Sequence, residues 1–514
     1  MLDFLKHIFH LLTEDKNIIF TILIMIGYTL YFNKYRYYIF KQKSHFTKGK
    51  HPIGRTIPNY PNGWFRILAS KDLKEKEVKY INAHGESLAV FRGEDKMVYA
   101  LDAYCAHLGA NLGVEGNVVN SQCIQCPFHG WTFDGKTGNC VVGKDMKPKE
   151  AFRYEYEFSS SEEKMNLSRN ERDCNFETFN NTENENENSQ KNENDCDLFS
   201  KNNKNFDKKN NIKNKNTHEN LSFTQGKKEI VKIRKYQTLE KSGSIFVWFN
   251  ATDSLKYNQT RENTEYIQSD FPYEPFDLSE YENKLEYRGT SLNTVNSHLQ
   301  DVAENGGDLL HFLYIHNQLI PFLVRGYWDA KWIRGSDPEL KTKLTLQNDS
   351  LNTWRNNLLD KYLTEKNKDH IGVIALENSA EIVGVKKDYK FFCVTGFQVG
   401  PGLVYLFLKS DFFEILFMQY IESKDKFHQN VYHDIYTSKY MPYWFSALLL
   451  RLEVLQVLND GVVWDNKRFG IKPYLNPEVS PADRILHNWR QWFSQFYTDC
   501  KKYEEYKKQE NLDW

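Results

Sequence analysis

The feature that most constrains this chain of 514 residues is a pair of short cysteine–histidine loops. Cys105-Ala106-His107 lies in DAYCAHLGANLG, and Cys126-Pro127-Phe128-His129 lies in CPFHGWTFDGKTG, with 18 residues between them. Each loop offers one thiolate and one imidazole. A fold that uses them must bring two separate turns to one point. Gly109, Gly130 and the turn at Gly135–Gly138 let backbone N–H groups come close to the sulfurs there.

A zinc ion could take two cysteines and two histidines, but finger-type sites pair Cys with Cys and His with His. The alternation found here suits a Rieske [2Fe–2S] cluster. There one iron takes both thiolates and the other both imidazoles, which raises the potential above that of an all-cysteine cluster. The expected cluster ligands are Cys105, His107, Cys126 and His129. Cys123 and Cys140 read as structural or free thiols. Eight cysteines in so long a chain do not make a disulfide scaffold.

A second constellation runs from Glu304 to His316, ENGGDLLHFLYIH. On a helix, Asp308, His311 and His316 fall at spacings of three and five, roughly on one face. Two imidazoles and a carboxylate are the ligand set of non-haem Fe(II) oxygenases, which leaves open positions for O₂. The carboxylate need not be local. Asp460, in LNDGVVWDNKRFG, follows an amphipathic helix and is the preferred third ligand; Glu453, one heptad earlier on the same face, is its rival. Asp308 is then free to hydrogen-bond a cluster-ligand imidazole and bridge the two centres.

The rest of the chain divides by composition. Residues 18–32, IIFTILIMIGYTLYF, carry no charge and read as a retained membrane helix, which Tyr35, Tyr37, Tyr38, Ile39 and Phe40 extend as an aromatic belt. Lys34, Arg36, Lys41, Lys43, Lys48 and Lys50 follow it, so the positive-inside rule puts the C-terminal bulk in the cytosol. Residues 1–50 are thus the anchor and its basic flank. Short alternating strands between glycine turns occupy 60–158 and resume over 229–255. Between them, 159–228 is rich in Asn, Glu, Lys and Ser and reads as a disordered surface insertion whose Cys174 and Cys196 are incidental. VKIRKYQTLEKSGSIFVWF reads as two strands around a turn at Lys241–Ser244. Residues 256–500 hold strand-like runs and at least two helices. YWFSALLLRLEVLQVL, interrupted by Arg451 and Glu453, reads as a core-facing helix rather than a second membrane span. A charged tail, 501–514, closes the chain. Lys and Arg total 67 against 68 Asp and Glu, which excludes a global basic field for nucleic acid.

With NGWFRI, GSIFVWF, GPGLV and NDGVVWDNK added to these motifs, the chain resembles the Rieske non-haem iron oxygenases. Within them it resembles the sterol branch: Neverland-type cholesterol 7-desaturases and their ciliate desaturase and C24-deethylase relatives. DAYCAHLGANLG and ENGGD are also similar to bacterial 3-ketosteroid 9α-hydroxylase oxygenase components. Respiratory-type Rieske proteins carry an extra cysteine in each loop; Ala110 and Phe128 stand there, as in the oxygenase type. The resemblance implies an α+β chain in which the membrane helix precedes an all-β Rieske domain and a helix-grip, START-like catalytic domain with an antiparallel sheet and helices. It implies a head-to-tail homotrimer in which Asp308 links one subunit's cluster to its neighbour's iron. It also implies a [2Fe–2S] cluster held by Cys105, His107, Cys126 and His129, and one mononuclear Fe(II) held by His311, His316 and Asp460.

The function expected is a sterol oxygenase of the endoplasmic reticulum membrane, a cholesterol C7(8)-desaturase using O₂. No G-x-G-x-x-G fingerprint opens a helix, so NAD(P)H electrons are expected through a separate reductase. Side-chain C24 de-ethylation or steroid hydroxylation stays open within the family. Outside it stand a membrane Rieske electron-transfer protein and a zinc-bound adaptor.

Overall fold

The computed structural model describes residues 38–42, 60–141, 231–251, 271–316, 318–320, 324–382, 385–410, 413–467 and 474–497. The expected membrane helix over 18–32, the Asn-rich stretch 159–228 and the tail 501–514 lie outside them. Among the described residues no helix is long and apolar enough to cross a membrane. Tyr38–Gln42, expected to continue the apolar run as part of an aromatic belt, is a strand (β1) instead. Tyr, Ile and Phe favour the extended backbone. The strand pairs in parallel with Leu285–Val295 (β12).

The two cysteine–histidine loops belong to a part built of three small antiparallel sheets. Its strands are Gly63–Ala69 (β2), Val78–Ala83 (β3), Glu86–Arg92 (β4), Val98–Asp102 (β5), Asn117–Val119 (β6), Cys123–Gln125 (β7) and Thr132–Asp134 (β8). Lys235–Tyr236 (β9), Thr238–Lys241 (β10) and Ser244–Phe249 (β11) complete it. Two hairpins turn on two residues with positive φ: His84 and Gly85 (55° and 72°) between β3 and β4, and Ser242 and Gly243 (49° and 73°) between β10 and β11. Such turns match the twist of the strands they join. The second lies where the sequence indicates a turn.

The remaining strands form one nine-stranded sheet in the order β1-β12-β19-β18-β17-β16-β15-β14-β13. Here β13 is Gln318–Ile320, β14 Val324–Arg334, β15 Ile371–Ile382, β16 Val385–Val399, β17 Leu403–Lys409, β18 Glu414–Asp425 and β19 His428–Ser438. Neighbours are antiparallel except at β1. The helices that matter for the site are Leu299–Glu304 (α1), His311–Tyr314 (α2), Tyr443–Asn466 (α3) and Pro481–Phe493 (α4). Ser480 caps α4 by accepting from the Asp483 N–H, and Pro481 supplies the fixed φ of the first turn.

Strand alternation gives the sheet two unlike faces. Buried Ser446, Ala447, Leu450, Val454, Val457, Asp460, Gly461 and Trp464 make a helical stripe on α3, which covers one face. There Ile435 packs with Ala447 and Leu450, and the Thr437 and Ser446 hydroxyls lie 3.1 Å apart. The three-sheet part docks on the other face. Arg66 of β2 lies over the rings of Tyr420 and Tyr432, with Asp434 at 3.9 Å, and the His84 N–H donates to the Ser423 carbonyl at 2.9 Å.

Candidate metal centres

The two cysteine–histidine loops have the same backbone design. In the first, the Cys105 N–H donates to the Ala110 carbonyl (2.9 Å) and the Gly109 N–H to the Cys105 carbonyl (2.9 Å). In the second, the Cys126 N–H donates to the Trp131 carbonyl (2.7 Å) and the Gly130 N–H to the Cys126 carbonyl (3.1 Å). Gly109 and Gly130 sit at φ +73° and +72°, a conformation a side chain would strain. Both thiols are buried and both imidazoles exposed. The imidazole rings are 4.8 Å apart, and Trp131 stacks on His107.

Burial pushes the Cys105 thiol up to about 11, against backbone N–H groups of His107 and Leu108 that bond to its sulfur. A neutral thiol is a poor acceptor for two amides, whereas a thiolate ligand uses them. A thiol pair inside, an imidazole pair outside and amides aimed at sulfur fit a [2Fe–2S] cluster with mixed ligands.

The second constellation assembles differently from the single helical face. Asp308 lies before α2, and only His311–Tyr314 is helical. The groups that converge are His311, His316 and Asp460, all buried, with one donor atom from each within 4.8 Å of the others. Asp460 comes from α3. Its Oδ1 is 3.2 Å from His316 Nε2. The rival, Glu453, lies outside this trio; its Oε1 is 3.5 Å from Nε2 of His433 on β19.

Both imidazoles are held from behind. His316 Nδ1 donates to Gln456 Oε1 at 2.7 Å, and His311 Nδ1 donates to the backbone carbonyl of Asp308. Each ring therefore keeps Nε2 for a metal. Burial holds His311 below the usual imidazole range despite Asp460. At His316 burial acts the same way and is the largest single influence, but the Asp460 carboxylate, Gln456 and Glu453 together outweigh it and the net shift is upward. Two imidazole nitrogens and one carboxylate, buried and convergent, fit a ferrous ion with open positions.

The loop before α2 is fixed by residues with no motif of their own. Arg490 of α4 grips the Glu304 carboxylate through Nε and Nη2, both at 2.8 Å. The Trp489 indole donates to Gln398 Oε1 (2.8 Å), whose amide donates to the Ala303 carbonyl (3.0 Å). A Cβ on Gly307 would run into the Trp489 side chain. The Trp328 indole donates to the His316 carbonyl at 3.0 Å. Spacing to Asp460 could have pointed to Gln456, one turn earlier on the same helix; Arg490 and Trp489 carried no such signal.

Comparison with known proteins agrees with this geometry. Residues 63–154 match the model of the Rieske [2Fe-2S] domain, and residues 261–497 match the 3-ketosteroid 9alpha-hydroxylase C-terminal domain. The chain belongs to the Rieske oxygenases. It is 26% identical to a cholesterol 7-desaturase (nvd) of Hemicentrotus pulcherrimus, over 90% of this chain and 74% of the relative. It is 27% identical to the cholesterol 7-desaturase (nvd) of Drosophila melanogaster, over 89% and 79%. A crystal structure of dicamba monooxygenase bound to dicamba aligns at 12% identity over 86% of this chain and 98% of that one, with a TM-score of 0.45.

Proposed function

We propose that this Rieske oxygenase is a sterol desaturase that introduces the C7–C8 double bond of cholesterol. The observation that carries the chemistry is the buried trio of His311, His316 and Asp460. The substrate class comes from the cholesterol 7-desaturases, to which the similarity extends over about nine-tenths of the chain. In the net reaction the sterol loses one hydrogen from C7 and one from C8. O₂ is reduced to two molecules of water, with two further electrons drawn from NAD(P)H through a separate reductase.

Cys105, His107, Cys126 and His129 would hold the cluster; His311, His316 and Asp460 would hold the iron. When bound, these groups supply single electrons and O₂ activation. The chain's own part is positional. Gln456 and the Asp308 carbonyl fix the two rings, and the burial of all three ligands keeps bulk water from the reacting carbon. The Asp308 carboxylate joins the iron site of one subunit to a cluster imidazole of the next in a homotrimer. Residues 18–32 anchor the protein in the endoplasmic reticulum membrane with the catalytic part in the cytosol, where a lipid-dissolved substrate is met.

Sterol analysis tests this. Cells expressing the protein and supplied with cholesterol should form the 7-dehydro product, and cells without it should not. Loss of the ethyl branch from a 24-ethyl sterol, with no 7-dehydro product, would replace the reading with side-chain cleavage. Three irons per chain support an oxygenase; two would leave an electron carrier.

A further inference from the structure

The sheet face that α3 covers has a polar end that the metal chemistry does not use. Ser291 and Asn293 of β12 lie on the same face as Val295, whose Cγ1 is 3.7 Å from where a Cβ on Gly461 of α3 would stand. His433 of β19 pairs directly with Ser291 and so shares that face. Ser291, Asn293 and His433 are 0%, 2% and 1% exposed. Yet Oγ of Ser291, both amide atoms of Asn293 and Nδ1 of His433 have no hydrogen-bond partner. Glu453 reaches them from α3, 3.5 Å from His433 Nε2.

Native interiors rarely leave one such atom unpaired, and four on three neighbouring residues call for a partner from outside the chain. The surroundings are open enough to admit one. Val404 and Leu406, on the central strand and the same face, are only partly buried. Glu453 keeps 28% of its side chain accessible, and burial pushes its carboxyl up to about 7.

We propose that Ser291, Asn293, His433 and Glu453 form the hydroxyl-binding end of the substrate cleft, and that they seat the 3-hydroxyl of the sterol. This rests on the sterol reading above. A hydroxyl both donates and accepts, as do an asparagine amide, a serine hydroxyl and an imidazole nitrogen. Position argues for the same group. Glu453 precedes Asp460 by seven residues, about 10 Å along the helix at 1.5 Å per residue. That span suits a hydroxyl on the ring next to the one that reacts. It is too short for a hydroxyl at the opposite end of the molecule from a reacting side chain. The polar end thus sets how deep the sterol slides and which carbon stops beside the iron site.

The test is equilibrium binding of labelled sterols to the full-length holoenzyme in detergent micelles. It compares cholesterol with cholest-5-ene, the same skeleton without the hydroxyl. The wild type should bind cholesterol at least about tenfold tighter, the worth of one buried hydrogen bond. Asn293→Leu should bring that ratio near one, chiefly by weakening cholesterol. Ser291→Ala, which disturbs packing least, should lower it in the same direction. Equal affinities in the wild type, or an unchanged ratio in both variants, would overturn the proposal while leaving sterol binding intact; the polar end would then hold only water. Binding of neither sterol would overturn the sterol reading and this assignment with it.

Discussion

His316 Nδ1 donates to Oε1 of Gln456 across 2.7 Å, which turns its Nε2 toward Asp460 on the same helix, one turn further on. One element thus supplies both the carboxylate and the group that orients the imidazole beside it. Gln456→Leu keeps the volume and removes the acceptor. Iron retention at the mononuclear site should fall about 10- to 100-fold, the usual cost of losing such a partner. Metal analysis after dialysis against a weak chelator checks this, with cluster absorbance unchanged.

Asp308 presents two groups, a backbone carbonyl that holds His311 and the carboxylate proposed above to bridge two subunits. Its backbone carbonyl accepts from His311 Nδ1, a contact that survives any side-chain change. Asp308→Ala should therefore retain iron and cluster in full while turnover drops by about 100-fold or more. Single-turnover reoxidation of the reduced cluster reads the loss directly. Normal reoxidation would remove the bridging role.

Gly307 lies against Trp489, which is fully buried and bonded to Gln398. Gly307→Ala overpacks a junction that cannot yield without breaking that bond. A loss of about 1–3 kcal/mol is expected. Urea unfolding measures it, and lowered iron content should accompany it, because the same loop leads into His311.

His84 predicts a pH dependence. Burial, with a smaller contribution from Lys424, holds its imidazole at about 3 in the folded protein, against 6.5 for the free side chain. The unfolded chain takes up the proton first as pH falls. Its stabilising contribution is therefore complete above about pH 6.5 and declines toward pH 3, by about 1.4 kcal/mol per pH unit. His84→Asn keeps the left-handed turn residue and removes the titration. Urea midpoints at pH 7.5 and 5.5 should lie closer together in the variant than in the wild type.

Chemistry was more legible in this sequence than architecture. Cys105, His107, Cys126 and His129 announce themselves by spacing, because two turns of fixed length must meet at one point. His311 and His316 were visible for the same local reason. Placing Asp308 with them on one helical face assumes a regular helix over 308–316, but only His311–Tyr314 is helical and the carboxylate arrives from α3. The sequence sets Asp460 just after the amphipathic helix, whereas α3 runs on to Asn466 and carries it on the buried stripe. Gln456 gives no signal of its own, since a glutamine on an amphipathic helix is ordinarily a solvated one. The order of nine strands was hidden because pairing joins residues far apart: β12 meets β19 across more than a hundred residues, and periodicity has no reach at that distance. Tyr38–Gln42 misled in a simpler way, since aromatic and β-branched residues suit a membrane boundary and a sheet edge equally well.

The placement of the three-sheet part and α3 on opposite faces of one sheet has a genetic consequence. A chain's own cluster loops and its own iron trio belong to opposite sides of that sheet, and in the homotrimer proposed above each working unit draws on two chains. A lesion at His107 and a lesion at His311 would then silence different halves of the unit. Two such null alleles carried together could complement, each gene copy repairing what the other lacks.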